Sequence, residues 1–466
     1  MIRRTVRFLD ERLGAAPALR SALRYVFPDH WSFMLGEVAL YSFVVLVGTG
    51  IFLTLYYVPS DELVTYHGGY EALRGRVFSE QYGSVLDLSF DVPAGLLMRQ
   101  THHWAANVFV AAIVLHVVRI VLTGAFRKPR ELNYLVGVTM LGLAIFEGFL
   151  GYSMIDDLLS GMGLAIAYSV AMSIPAVGGD FAFLVWGDEF PGSPSFWPRL
   201  EILHVLILPV VLAGLIGLHL AQIVRQHHTQ FPGGLASERA IEGTPMWPGY
   251  ALRSGGLLLM TAGLLFLLGG LVQINPIWQW GPYETWLSTN GAQPDWYLGW
   301  LIGGLRLMPP LEIVIGDYTL VPNPFFGGAL FPGIVFAVLY AWPWIDRRRF
   351  GDRAAHNLLE RPRDNPRRTA AFLGFLTWVF VIFAAGAGDR LYLVSSMPYE
   401  GQVWFFRAAA VVAPFVVWFV ARRVCEELRA REDHPLRGWT GQVVRRTATG
   451  GFETLAGEDG RESDGR

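Results

Sequence analysis

Residues 101–119 read THHWAANVFVAAIVLHVVR. The stretch is apolar enough to lie in hydrocarbon, yet it carries three histidines, and an ionisable side chain there is costly unless something binds it. On an α-helix, at ~100° and ~1.5 Å per residue, His102 and His116 fall ~40° apart in azimuth and ~21 Å apart along the axis. They share one face at two depths, near the two surfaces of a ~30 Å hydrocarbon core. His103 points ~100° away from His102 and cannot share its ligand. A second apolar stretch repeats the device: His204 and His219 are ~60° and ~22 Å apart on an ideal helix.

The rest of the chain fits a membrane setting. Of 466 residues, 53% are hydrophobic and 16% charged, against roughly 25% charged in soluble domains. Apolar residues gather in eight blocks, at about 34–58, 101–124, 134–155, 200–224, 252–273, 328–345, 370–388 and 403–421, each near the ~20 residues one spanning helix needs. The fold class expected is all-α: a polytopic membrane protein with eight transmembrane helices, an N-terminal four-helix bundle that carries the four histidines and further C-terminal helices. A net charge of −2 argues against nucleic acid as a partner. The basic, amphipathic start lacks the early apolar core of a cleavable signal. Cys425 is the one cysteine, so an internal disulfide, a CxxCH haem attachment and an iron–sulfur site are all excluded. Any redox centre must use other ligands, and histidine is the candidate.

Charge sets the orientation. Arg3, Arg4, Arg7, Arg12, Arg20 and Arg24 precede the first block; Arg127, Lys128 and Arg130 follow the second; eight arginines lie between 347 and 368. The connection 156–199 holds Asp156, Asp157, Asp180, Asp188 and Glu189 against Arg199 alone. The positive-inside rule then places both termini in the cytoplasm of a cell-membrane protein. The second and fourth blocks run outside to inside, so His102 is level with His204, and His116 with His219. Two transverse pairs at two depths are what two bis-histidine haems require. A tetrahedral zinc site lacks further ligands at either level. Packed histidines hydrogen-bonded across a bundle, or proton relays in a non-redox transporter, are the alternatives these residues leave open.

Glycines and arginines follow the same levels. Gly36 and Gly50 are 14 residues apart, as are Gly137 and Gly151, and a haem edge needs helices without side chains where it passes. Arg99 precedes His102 by three residues and Arg119 follows His116 by three. Each can snorkel to a surface and pair with a haem propionate, or serve as an interfacial anchor. The long external connections 156–199 and 274–327 are of a length usually reserved for function. The second contains QPDWYLGW, residues 293–300. Asp295 there can take a proton from a hydroxyl substrate, with a pKa raised by apolar surroundings, or simply cap a turn. Glu147, inside the third block, is hydrogen-bonded internally or part of a proton route. The expected organisation is a cytoplasmic amphipathic segment over 1–30, the dihaem bundle over 31–230, a C-terminal membrane region with the PDWY loop over 231–424, and a charged, Gly-rich, disordered tail over 425–466.

Together, Arg99, His102, His116 and Arg119, the pair His204 and His219, the glycine pairs and PDWY resemble cytochrome b of the respiratory cytochrome bc complexes, over about residues 28–425. FPDHWSFMLGE, GAFRKPRELN, DDLLSG and HTQFPG look most like the actinobacterial type. The resemblance implies two non-covalent b haems, His102 and His204 on an outer, low-potential one and His116 and His219 on an inner, high-potential one. It implies an outer quinol-oxidation site formed by Pro294 to Tyr297, Tyr152 and the 156–175 loop, with Asp295, Tyr297, Glu147 and Tyr152 as catalytic candidates. His30, Ser32, Arg225, His227 and His228 are candidates for an inner quinone site. The implied partners are a Rieske iron–sulfur protein, a cytochrome c subunit, a second copy in a homodimer, an oxidase in a supercomplex, and the lipid membrane. The implied activity is quinol–cytochrome c reduction coupled to proton translocation; a dihaem anchor of a quinone-linked dehydrogenase shares the histidines but needs neither PDWY nor eight spans. Asp295 stands where the more familiar motif has Glu, a variant associated with menaquinol. The 15-residue interval in the fourth block and Ile155, where relatives commonly have proline, are further departures.

Overall fold

The structure is a computed structural model that describes residues 8, 10–12, 14–233, 235–288, 294–350, 353–433, 443–446 and 452–455. Among the described residues, eight helices are long and apolar enough to cross a membrane: Trp31–Leu53, Gly95–Leu122, Glu131–Ser153, Phe196–Gln226, Met246–Leu271, Phe326–Arg348, Pro366–Gly386 and Tyr399–Arg431. They are numbered here as spans one to eight. In hydrocarbon a helix satisfies every backbone group internally, which is why such apolar runs form nothing else.

The apolar blocks located the spans but misjudged some ends. The first helix stops at Thr54, short of 58, because Tyr56 to Ser60 turn toward an external segment. The second begins at Gly95, six residues before the histidine-rich run, since Leu97 and Met98 extend the helix upstream of Arg99. The expected tail from 425 is helical to Asp433, and Val443–Arg446 pairs antiparallel with Phe452–Leu455. Disorder is therefore not the state of those residues; the rest of the tail lies outside the described residues.

Spans one to four form a bundle in which the second and fourth do not pack closely on each other. The first packs on the second, the third on the fourth, and the fifth covers the first and second. A gap is thus left between the two histidine-bearing helices. The fourth span also solves its odd interval. Residues Leu203–Ile207, including His204, form a π turn, which takes up one residue relative to an α-helix. Fifteen residues then act as fourteen, and His204 and His219 regain nearly the ~40° offset of His102 and His116.

Outside the bundle, the segment between spans one and two is more structured than its sequence suggested. It pairs Leu63–Thr65 with Val77–Ser79 and continues as helix Glu80–Phe90. At the same end of the bundle, the connection between spans three and four starts helix Leu158–Met172 at a capping box, with Ser160 N donating to Asp157 Oδ1 at 2.8 Å. Backbone bonds from Leu158 to Gly281 and from Tyr283 to Asp156 stitch it to the third external connection. Helix Gly299–Leu307 then packs against the seventh span, with Gly303 so close to Ile382 that a Cβ would overlap its carbonyl.

At the opposite end a buried charge cluster joins the two halves. Arg368 is fully buried and donates from Nε and Nη2 to the two oxygens of Asp346 at 2.6 and 3.0 Å. It also reaches Glu360, which accepts from Arg127 at 2.7 Å. Removing one partner from such a cluster leaves a buried charge uncompensated. Arg368→Met is expected to cost about 3–5 kcal/mol, read as a lowered thermal midpoint of the purified protein; an unchanged midpoint would show the cluster to be dispensable.

Candidate cofactor site

The second and fourth spans bring four histidines into two facing pairs. The imidazole centroids of His102 and His204 are 6.3 Å apart with planes at 75°, and those of His116 and His219 are 6.5 Å apart at 74°. Metal–imidazole bonds of ~2 Å on either side of one ion need a separation of this size. Direct contact between the rings would need less. The residues therefore fit two bis-histidine haem irons, one at each level.

The four glycines of the first and third spans face these imidazoles. A Cβ on Gly50 would lie 3.3 Å from His102 Cε1, and on Gly151 2.5 Å from His204 Cε1. On Gly36 it would lie 3.3 Å from His116 and on Gly137 3.9 Å from His219. Each glycine thus backs one imidazole, letting the neighbouring helix approach the ring itself.

The arginines supply a second test of fit. Arg99 is buried at 7% exposure rather than snorkelling to the surface. Its guanidinium donates twice to the Asn275 carbonyl at 3.3 Å and leaves Nε without a partner. Arg119 donates to Ser32 Oγ at 3.3 Å, stacks over Phe33 at 4.4 Å and leaves one Nη unpartnered. Neither pairs with a carboxylate among the described residues, so each can take the propionate of a haem at its own level. The pair His116 and His219 opens into a cavity of about 590 Å³ bordered by Gly36, Gly137, Arg119, His30, His227 and His228. Ser32 sits behind this wall, 2.8 Å from His30 Nδ1, and Arg225 does not border the cavity. Burial, then the charges of Arg130, His227 and Arg119, lower the pKa of His228 to about 4. Its neutral ring, 3.1 Å from the Tyr25 hydroxyl, is thus available as a hydrogen-bonding group.

Asp295 is held from the second span. Asp295 begins a short turn over Trp296–Leu298 but makes no capping bond. Its Oδ1 lies 2.6 Å from His103 Nε2, and its Oδ2 accepts from the Tyr297 hydroxyl at 2.8 Å. Burial would raise the carboxyl pKa, but the His103 charge and hydrogen bonds from His103, Tyr297 and Asn107 outweigh it, so the pKa is lowered. The expectation of a raised value is corrected: the surroundings are apolar, but the direct neighbours are donors. Tyr297 is pushed well above its ordinary value by burial and then by Asp295, and so stays a donor. Tyr152 is buried within electrostatic reach of Asp295 and Asp157. Asp156 is raised to about 7, first by burial and then by Asp157, against hydrogen bonds from Ser79 and Gln81.

Glu147 does not join this group. Its Oε1 lies 3.0 Å from His204 Nδ1, while its neighbour Gly148 faces Tyr297. The sequence reading missed the pairing of His103 with Asp295 and the contact of Thr49 with His102 at 3.0 Å. Helical periodicity offered a signal for a third missed contact, that of Glu147 with His204. Glu147 lies four residues before Gly151 and so shares the face that backs His204, as Gly148 shares the face of Tyr152.

Comparison with known proteins agrees with this architecture. Residues 107–282 match the family model described as Cytochrome b(N-terminal)/b6/petB. A relative from Streptomyces coelicolor is 41% identical over 96% of this chain and 82% of its own length. One from Mycobacterium tuberculosis is 44% identical over 96% and 81%, and one from Corynebacterium diphtheriae 41% over 95% and 82%. Each is named cytochrome bc1 complex cytochrome b subunit. A solved structure titled hyperthermophilic respiratory Complex III superposes with a TM-score of 0.66 at 20% identity, over 90% of this chain and 99% of that one, a likeness of fold.

The glycine contacts separate two variants. Gly151→Ala puts a methyl group 2.5 Å from His204 and should remove or displace the outer haem. Gly137→Ala, at 3.9 Å from His219, should leave both. Haem content and the low-temperature difference spectrum of each purified variant check this; loss in the second and retention in the first would contradict it.

Proposed function

The chain belongs to the cytochrome b subunits of cytochrome bc1 complexes, integral membrane proteins that bind haem b, and on that premise we propose that it is the dihaem, quinol-oxidising subunit of a quinol–cytochrome c reductase. The observation that carries the proposal is the pair of facing imidazoles repeated at two levels beside an external acid held between His103 and Tyr297. His102 and His204 hold the outer haem, His116 and His219 the inner one, and Arg99 and Arg119 neutralise a propionate at each level. When bound, the two haems carry single electrons between an outer and an inner quinone site, across about 21 Å of helix.

The protein side of the reaction is binding, orientation and proton handling. A quinol releases two electrons and two protons on oxidation. Asp295, kept ionised by its donors, is the base that receives a hydroxyl proton, and Tyr297 and Tyr152 orient the ring. One of the two electrons leaves the chain and the other passes to the haems, so the activity needs a Rieske iron–sulfur protein and a cytochrome c subunit. Aspartate in place of glutamate favours menaquinol as the substrate. The cytoplasmic cavity, with His30 and neutral His228 on its wall, suits quinone reduction and proton uptake from inside. Both termini then lie in the cytoplasm, and the complex is a dimer able to join an oxidase.

Asp295→Asn tests the base. Quinol–cytochrome c reductase activity of the purified complex should fall ~10²–10⁴-fold while both haems remain. Equal activity would remove Asp295 from the mechanism, and a co-purifying dehydrogenase flavoprotein in place of the Rieske protein would overturn the whole reading. The pH profile has a definite sign. A depressed pKa keeps the carboxylate ionised to lower pH, so the acid limb due to Asp295 should lie below the ordinary carboxylate pKa of ~3.9. A limb near neutrality would have to come from another group, and Asp156→Asn, which removes the group raised to about 7, identifies whether it is that one.

A further inference from the structure

The two histidine pairs differ in what holds the second nitrogen of each ring. At the outer level, His102 Nδ1 is 3.0 Å from Thr49 Oγ1. The Thr49 hydroxyl donates to the Val45 carbonyl at 2.7 Å, so toward His102 it accepts. His204 Nδ1 is 3.0 Å from Glu147 Oε1 and 3.2 Å from the Glu147 carbonyl oxygen. The side chains of His204 and Glu147 retain only 18% and 15% exposure. At the inner level, Nδ1 of His116 and Nδ1 of His219 are buried without a side-chain partner.

This difference acts on a bound iron. An imidazole that binds metal through Nε2 carries its proton on Nδ1, and the acceptor of that proton tunes the ring as a ligand. A carboxylate is a stronger acceptor than a hydroxyl or carbonyl, and in a low-dielectric setting its effect is poorly screened. Electron density pushed onto the axial ring favours the oxidised iron, and hydrogen bonding around the ligands is one of the levers that set haem potentials.

We infer that Glu147 is a positioning residue for the outer haem: as hydrogen-bond acceptor for His204 it holds the outer potential below the inner one, so that electrons run inward. The inference rests on the reading of His204 as an outer-haem ligand. It also separates Glu147 from the proton chemistry of Asp295. Gly148, one residue on, faces Tyr297, so the third span serves the haem with one face and the acid loop with the next.

The test is a potentiometric titration of both b haems in the intact complex, followed optically and by low-temperature EPR, for the natural protein, Glu147→Gln and Glu147→Asp. In Glu147→Gln the low-potential haem should rise, shifting electron sharing between the haems about tenfold, ~59 mV for a one-electron couple. The inner haem should stay where it was. Glu147→Asp, with a retracted carboxylate, should move the same haem by less. An unmoved low-potential haem in both variants overturns the inference, as does an equal shift of both haems. Loss of the outer haem from both variants makes Glu147 a folding contact and overturns it too. Absence of b haem from the natural protein would instead sink the proposed function, so the two failures are distinguishable.

Discussion

Four imidazoles facing one another in hydrocarbon are the constraint around which the structure is arranged. Unbound, His116 and His219 would each bury an Nδ1 without a hydrogen-bond partner among the described residues, a cost that two facing pairs at 6.3 and 6.5 Å would leave unexplained. Everything nearby is organised to hold them apart at that distance. The second and fourth spans are separated by their neighbours, the π turn at Leu203–Ile207 brings His204 into register, and glycines on the first and third spans let those helices back the rings. Two buried arginines without carboxylate partners among the described residues mark the levels where anionic groups belong.

The same helices reach the Asp295 loop from adjacent faces. His102 and His103 are neighbours, one turned to the haem gap and the other to Asp295 at 2.6 Å. Glu147 and Gly148 repeat the pattern, one against His204 and the other against Tyr297. A step of one residue turns a helix by ~100°, enough to point consecutive side chains at different sites. The His102–His204 pair and the loop that carries Asp295 and Tyr297 are therefore built on shared backbone. The cluster of Arg368, Asp346, Glu360 and Arg127 ties the second half of the chain to this frame from the opposite end.

Much of this was legible in the sequence because membrane helices impose strict periodicities. The histidine levels, the eight spans and the positions of the four glycines follow from spacing and hydropathy alone. What spacing could not supply was contact between elements far apart in the chain. Nothing in the 15-residue interval of the fourth span announces a π turn. His103 and Asp295, 192 residues apart, meet only because the loop after the fifth span folds back over the second. The expected rise in the Asp295 pKa failed for the same reason: local letters show aromatic neighbours, whereas the donors that lower it come largely from another helix. Span ends drifted where external segments begin, and the hairpin and helix over 63–90 were invisible to a search for apolar blocks.

The account stands or falls on the number of haems that the facing imidazoles hold. A haemochrome assay of the purified chain, referred to protein mass, should give two non-covalent b haems per chain, both low-spin in EPR as bis-histidine ligation requires. One haem per chain, a high-spin signal from either site, or no haem would contradict it.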